Sequence, residues 1–173
     1  MHEPDGFREF VAARSAALVR SAWLLTGDEG EAQDLVQTAL AKTWSRWSRV
    51  ARQDAPEAYV RRVMLSTFLT WKRRGSRREV PVDVVPERAV AADSFEAVGL
   101  RAPMYAALRD LPPRQRAVVV LRFFDDLTEA QTADVLGCSV GTVKSQAAKA
   151  LTKLRAAAPL RGLLDEEVTR DAS

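Results

Sequence analysis

The chain has 173 residues, 47% of them hydrophobic and 28% charged, with a net charge of +3, values ordinary for a globular protein of one medium or two small domains. No apolar run reaches the length of a membrane span and no secretory signal is visible at the start, which predicts a cytoplasmic protein that does not insert into a membrane. A single cysteine, Cys138, leaves no internal disulfide, and a single histidine, His2, leaves no metal-ligand cluster, so neither a metal nor another cofactor is expected.

In chain order, Phe7, Phe10, Val11, Ala17, Leu18, Ala22 and Leu25 recur at a 3.6 period, and Gly27 follows as a helix terminator. Asp28 opens a second helix whose apolar members are Ala32, Leu35, Val36, Ala39, Leu40, Thr43, Trp44 and Trp47. Its first turns are acidic, as the helix dipole favours, and Asp34, Gln37, Thr38 and Ala41 form a stripe opposite the tryptophans. A loop from Ser48 to Pro56 leads to a third helix, about Glu57 to Arg74. There Tyr59, Val63, Met64, Thr67, Phe68 and Trp71 alternate with Arg61, Arg62, Lys72, Arg73 and Arg74. Cations interleaved with aromatic faces suit the phosphates and unstacked bases of a single strand. The same aromatic residues equally suit a core.

Charge then changes sign. Residues 58–78 hold seven Lys or Arg and no acid, whereas residues 79–98 hold five acids against Arg88 alone. With Pro81, Pro86 and no clean periodicity, Gly75 to about Arg101 reads as a linker carrying a short helix near Ser94 to Val98. Helices follow at Ala102 to Asp110 and Pro112 to Asp125, proline fitting a first turn. Thr128 and Gln131 form a capping-box pair, Leu136 ends that helix, Gly137 supplies a left-handed residue and Ser139 caps the next. The second helix of this helix-turn-helix places Val140, Val143, Ala147, Ala150, Leu151 and Leu154 on one side, and Thr142, Ser145, Gln146, Lys149 and Lys153 on the other. No acid lies between Gly137 and Leu164. A solvated face usually mixes signs, so this one points to the major groove of DNA. The pattern is all-α throughout, in two small helical domains: 1–75, an acidic linker 76–101, a helix-turn-helix domain 102–158 and a tail 159–173.

On these grounds an autonomous helix-turn-helix regulator remains open, although it would leave the basic and aromatic stretch 58–78 without a task. An enzyme acting on nucleic acid is disfavoured, since no Gly-rich phosphate loop, metal cluster or histidine base is visible.

Three blocks in order carry a family resemblance. WLLTGDEGEAQDLVQTALAKTWSRW, APEAYVRRVMLSTFLTWKRR and LPPRQRAVVVLRFFDDLTEAQTADVLGCSVGTVKSQAAKALTKLR resemble regions 2.1 to 2.2, 2.3 to 2.4 and 4 of a group IV, or extracytoplasmic-function, sigma factor of bacterial RNA polymerase, in its actinobacterial sigma-E-like branch. The resemblance implies a non-catalytic subunit that directs core polymerase to promoters and helps melt the minus-10 region. It implies core polymerase, through its clamp and flap, and promoter DNA as partners, with an anti-sigma factor as a candidate regulator. By position it assigns clamp docking to Asp34, Leu35, Val36 and Gln37, and capture of a flipped minus-10 base to the loop Ser48 to Pro56. It assigns minus-10 contacts to Arg61, Arg62, Ser66, Trp71, Arg73 and Arg74, and minus-35 reading to Thr142, Lys144, Ser145, Gln146, Ala148 and Lys149. Three places depart from the family: Ser66 where asparagine is usual, Thr38 where glutamate is common, and Gln146-Ala147-Ala148 where arginine and larger apolar residues are usual. Glutamine pairs with adenine in the major groove, whereas arginine favours guanine or phosphate, so the last departure bears on promoter sequence.

Overall fold

The computed structural model describes residues 3–78 and 102–157. The described residues contain helices and turns only. Helix α1, Phe7–Thr26, ends at Gly27, whose φ of 78° is left-handed and whose N–H donates to the Trp23 carbonyl at 2.8 Å. A side chain at Gly27 would also run into the Tyr105 hydroxyl, so this glycine lets two helices approach as well as turn. Asp28 then caps α2, Glu29–Trp44, accepting from the Glu31 N–H at 2.9 Å. The two-residue link folds α2 back along α1.

The second helix stops three residues earlier than its apolar periodicity suggests. Trp47 belongs instead to a four-residue helix α3, Trp47–Val50, whose last three residues fall in the stretch expected to be loop. Packing explains the break. Trp47 is buried edge-on against Phe7, with centroids 5.1 Å apart, and its indole N–H donates to the Asp5 carbonyl at 2.9 Å. Helix α4, Pro56–Arg78, runs through Gly75, beyond the expected end at Arg74. The expected helix near Ser94 to Val98 and the tail lie outside the described residues.

After α5, Ala102–Asp110, the helix predicted as Pro112 to Asp125 begins as α6, Pro113–Val119, and widens into a π-helical segment over Val120–Phe124. The Asp125 N–H reaches back to the Val120 carbonyl at 2.9 Å, and Asp126 follows with a φ of 54°, a left-handed conformation that aspartate tolerates better than most residues. The capping box at Thr128 forms as expected, with reciprocal bonds of 2.9 and 3.1 Å to Gln131. Helix α7, Glu129–Leu136, ends on Gly137 at φ 65°, and Ser139 caps α8, Val140–Ala156.

The two helical sets share one core. Leu18, Leu25, Leu35, Met64, Leu65 and Phe68 from α1, α2 and α4 form a continuous buried cluster with Leu108, Leu121, Val135 and Leu154 from the C-terminal set. Trp23 of α1 stacks on Tyr105 of α5, centroids 4.4 Å apart and planes inclined by 19°. Burial pushes the Tyr105 hydroxyl up to about 12.

Arg116 on α6 ties this junction. It is buried, and its guanidinium donates to four backbone carbonyls: Leu108 at 2.9 Å, Arg109 at 2.7 Å, Leu111 at 2.9 Å and, across the junction, Leu25 at 2.6 Å. Three of these lie in the last turns of α1 and α5, where carbonyls lack intrahelical donors. Arg116→Met should therefore cost about 3 kcal/mol or more, because it leaves buried acceptors unpaired. Arg116→Lys should rescue little, since an ammonium is a compact charge and lacks the planar fork that spans four oxygens. Denaturant unfolding of the three proteins measures both effects, and a lysine variant as stable as wild type would contradict this account.

Candidate nucleic-acid interface

Two exposed cationic faces stand out, each set by the way its helix is anchored. In α8, Val143, Ala150 and Leu154 are buried, and Val143 packs with Val118 and Ala133 in a small cluster beneath the turn. That anchoring leaves Lys144, Ser145, Ala148, Lys149 and Lys153 exposed. Gln146 is half-buried, on the flank of the exposed face and not at its crest. Thr142 also takes part in the helix cap: its hydroxyl lies 2.9 Å from the Ser139 hydroxyl, and its N–H donates to the same oxygen at 3.1 Å. Val140, expected on the anchored side, is exposed. Lys144 approaches Glu129 at 3.7 Å, an exposed pair that binds it weakly and leaves it available to phosphate.

On α4, Val60, Met64, Leu65 and Phe68 face the core. The exposed stripe carries Arg62, Ser66, Arg73 and Arg74, with Trp71 and Lys72 half-buried beside it. Lys72 lies 5.8 Å from the centre of the Phe68 ring and 3.8 Å from Glu31. Of the aromatic residues expected to meet bases, Phe68 is fully interior, whereas Tyr59 and Trp71 keep part of a ring accessible.

Arg61 does not join this stripe, which corrects the expectation for it. Only 7% of it is exposed. Its guanidinium donates to Glu57 at 2.8 and 3.2 Å, to Asp125 at 2.7 Å and to the Ser21 hydroxyl at 3.2 Å, so every direction of its fork is engaged inside the protein. One helical position separates it from Arg62, and a step of 100° is enough to move a cation from solvent to interior. The expected docking segment divides likewise. Asp34 and Gln37 are exposed, but Leu35 and Val36 are core residues at 0 and 4% exposure and present no side chain to a partner.

Sequence reasoning missed further cations. Arg46, Arg49 and Arg52 are all exposed around α3, spaced by three; Arg49 and Arg52 lie within the stretch Ser48 to Pro56 expected to capture a base, though none was singled out, and Arg46 lies just before it. Their spacing was the available signal. Arg114, exposed at the start of α6, lines a cleft of about 810 Å³ with Arg62, Ser66, Lys72 and Arg73 on one wall and Asp134 to Gly137 on another.

Comparison with known proteins agrees with this anatomy. Residues 10–78 match the sigma-70 region 2 model, and residues 101–154 match the sigma-70 region 4 model. The chain is 44% identical to an RNA polymerase sigma-E factor of Streptomyces avermitilis over 149 residues, covering 86% of this chain and 83% of the relative. It is 43% identical to the counterpart from Streptomyces coelicolor, covering 90% and 87%. Among solved structures, the sigma factor RpoE from Bartonella quintana, crystallised with the anti-sigma factor NepR, superposes with a TM-score of 0.69 at 22% identity, over 89% of this chain and 97% of that one. CnrH, solved with the cytosolic domain of CnrY, gives 0.58 at 23% identity, over 92% and 88%; at such identities the likeness is one of fold. With both regions matched in order and two-fifths identity along nearly the whole chain, the protein belongs to the sigma-70 family, as an extracytoplasmic-function type RNA polymerase sigma factor.

Proposed function

We propose that the chain engages its partners through three separate surfaces: α2 on core polymerase, α4 on the unpaired minus-10 strand, and α8 on the duplex minus-35 element. Family membership makes it a non-catalytic initiation subunit that binds core polymerase and promoter DNA. The residue assignments rest on exposure. The observation that carries them is the segregation of cations, with Lys144, Lys149 and Lys153 turned outward on α8 and Arg62, Arg73 and Arg74 turned outward on α4. A recognition helix held by its apolar face presents hydroxyl, amide and ammonium groups to base edges and phosphates. The α4 stripe adds a partly accessible indole at Trp71, a stacking platform for an unpaired base. The division into an N-terminal unit 1–75 and a C-terminal unit 102–158 follows the same separation of tasks. Among the described residues no helix is long and apolar enough to cross a membrane, and we assign the protein to the cytoplasm, where its polymerase works. An anti-sigma protein as regulator belongs to the same proposal.

Three outcomes test these surfaces. Asp34→Ala with Gln37→Ala should weaken binding to core polymerase and leave thermal melting unchanged, because both side chains are exposed; equal affinity for core would show that the stripe is merely solvated. Neutral replacements at Arg73 and Arg74 should slow promoter opening while minus-35 engagement persists. Run-off transcription together with permanganate footprinting reads this, and undiminished thymine reactivity across the minus-10 region would rule it out. In α8, Gln146→Ala should cost about 1–3 kcal/mol at one promoter position if the amide reads a base, and Lys149→Ala should lower the log–log salt slope by roughly one unit as a phosphate contact. Transcription from a library randomised across the minus-35 element, with binding measured at several salt concentrations, separates the two roles. Unchanged preference and slope in both variants would mean that a different face enters the groove.

A further inference from the structure

The stretch around α3 carries a cationic feature that the α4 stripe does not include. Arg46, Arg49 and Arg52 are exposed and three residues apart. Backbone bonds keep this stretch helical on both sides of α3: the Arg49 and Val50 N–H groups donate to the Arg46 carbonyl at 3.0 Å, and the Gln53 N–H donates to the Val50 carbonyl at 3.0 Å. The arginines therefore stand on successive turns as one ridge about 9 Å long, more than the distance between neighbouring phosphates of one strand. Trp47 and Val50, buried in the cluster with Phe7, fix which side of α3 faces out.

The ridge is uncompensated. Arg8 and Arg14 of α1 each meet a carboxylate, Glu3 at 2.6 Å and Glu57 at 3.2 Å. Among the described residues Arg46, Arg49 and Arg52 form no ion pair or side-chain hydrogen bond, and Asp54 is the one acid between Lys42 and Pro56. A merely solvated surface usually mixes signs. The ridge also adjoins α4. Lys42, one turn before Arg46, donates to the Thr67 hydroxyl of α4 at 3.0 Å. Tyr59, half-buried in the first turns of α4, packs against the Trp47 and Val50 cluster. Arg62 and Ser66 follow Tyr59 at helical spacing on the same side of α4, so a partly accessible ring joins the ridge to the α4 stripe.

We propose that Arg46, Arg49 and Arg52 hold the sugar–phosphate backbone of the unpaired strand where it leaves α4, so that the tract gripped by the protein continues past Tyr59 and across α3. The proposal rests on the functional reading of α4 above. Phosphate contacts fix register and path without reading sequence, so the ridge lengthens the tract and leaves base preference to other side chains. A cationic track beside an aromatic face is the combination that single strands favour over duplex. Each phosphate neutralised on a single strand contributes about 0.7 to the log–log salt slope, so three contacts contribute about two units.

The test uses the full chain and a labelled oligothymidylate of about twelve nucleotides, a length within the site sizes of such surfaces. Fluorescence anisotropy over a range of salt concentrations compares wild type, R46A/R49A/R52A and R46K/R49K/R52K. The alanine variant should bind about tenfold more weakly at low salt and lose about two units of slope, whereas the lysine variant should keep most of both, because counterion release follows charge. A duplex of the same length should lose less affinity than the single strand. Equal affinity and slope in wild type and the alanine variant would overturn the proposal. So would an equal loss in the lysine variant, which would make the role one of packing, or an equal loss on duplex, which would make the ridge a general cationic surface. Should the triple variant lose its helical signal, Arg49→Ala decides, with an expected fall of about 0.7 in slope. Neutral replacements at Arg73 and Arg74 are measured alongside. If they leave oligothymidylate binding unchanged while the ridge variants weaken it, the reading of α4 fails and the ridge stands as a strand-binding surface.

Discussion

Three backbone carbonyls in the last turns of α1 and α5, and a fourth just beyond α5, converge on one guanidinium at the junction of the two helical sets. Helix ends leave acceptors that must find donors when water is excluded. Arg116 supplies all of its fork to them. Because one of the four, Leu25, belongs to region 2 and the others to region 4, satisfying the end of α1 and docking the two regions are a single event. Gly27 contributes by having no side chain where the Tyr105 hydroxyl passes, and the Trp23–Tyr105 stack closes over the same corner.

Around that junction the arginines divide by environment and not by sequence neighbourhood. Arg61 and Arg116 are structural: each is buried and saturated with acceptors. Arg62, Arg73 and Arg74 are exposed, where a cation can neutralise a phosphate and release its counterion. A guanidinium suits both tasks, since its planar fork matches carboxylates and clustered carbonyls as well as phosphates. Counting cations along 58–78 therefore overstates the charge that α4 offers to DNA.

The helix-turn-helix is legible from its residues almost bond by bond. Its caps are local: Thr128 with Gln131, Gly137 at its left-handed turn and Ser139 ahead of α8 each act over three or four residues. Thr142 escapes such a reading because the same short range that makes a serine a good cap lets a threonine three residues later join it. A hydroxyl engaged in a cap looks, in sequence, like any other hydroxyl of the helix.

Periodicity and contacts between near neighbours suffice for the all-α class, the helix order, the terminators at Gly27 and Gly137, and the separation of a basic helix from an acidic stretch; all of these are written in the order of residues along the chain. Packing settles the rest: that Arg61 faces inward while Arg62 faces out, that Trp47 leaves α2 to pack on Phe7, that α6 widens into a π turn ending at Asp125, and that the two regions share a core. Each of those outcomes depends on groups far apart in the chain: Asp125 meets Ser21 across 104 positions and Arg61 across 64. No local propensity encodes a partner at that distance. Only the folded chain, by removing water from both groups at once, makes their pairing necessary.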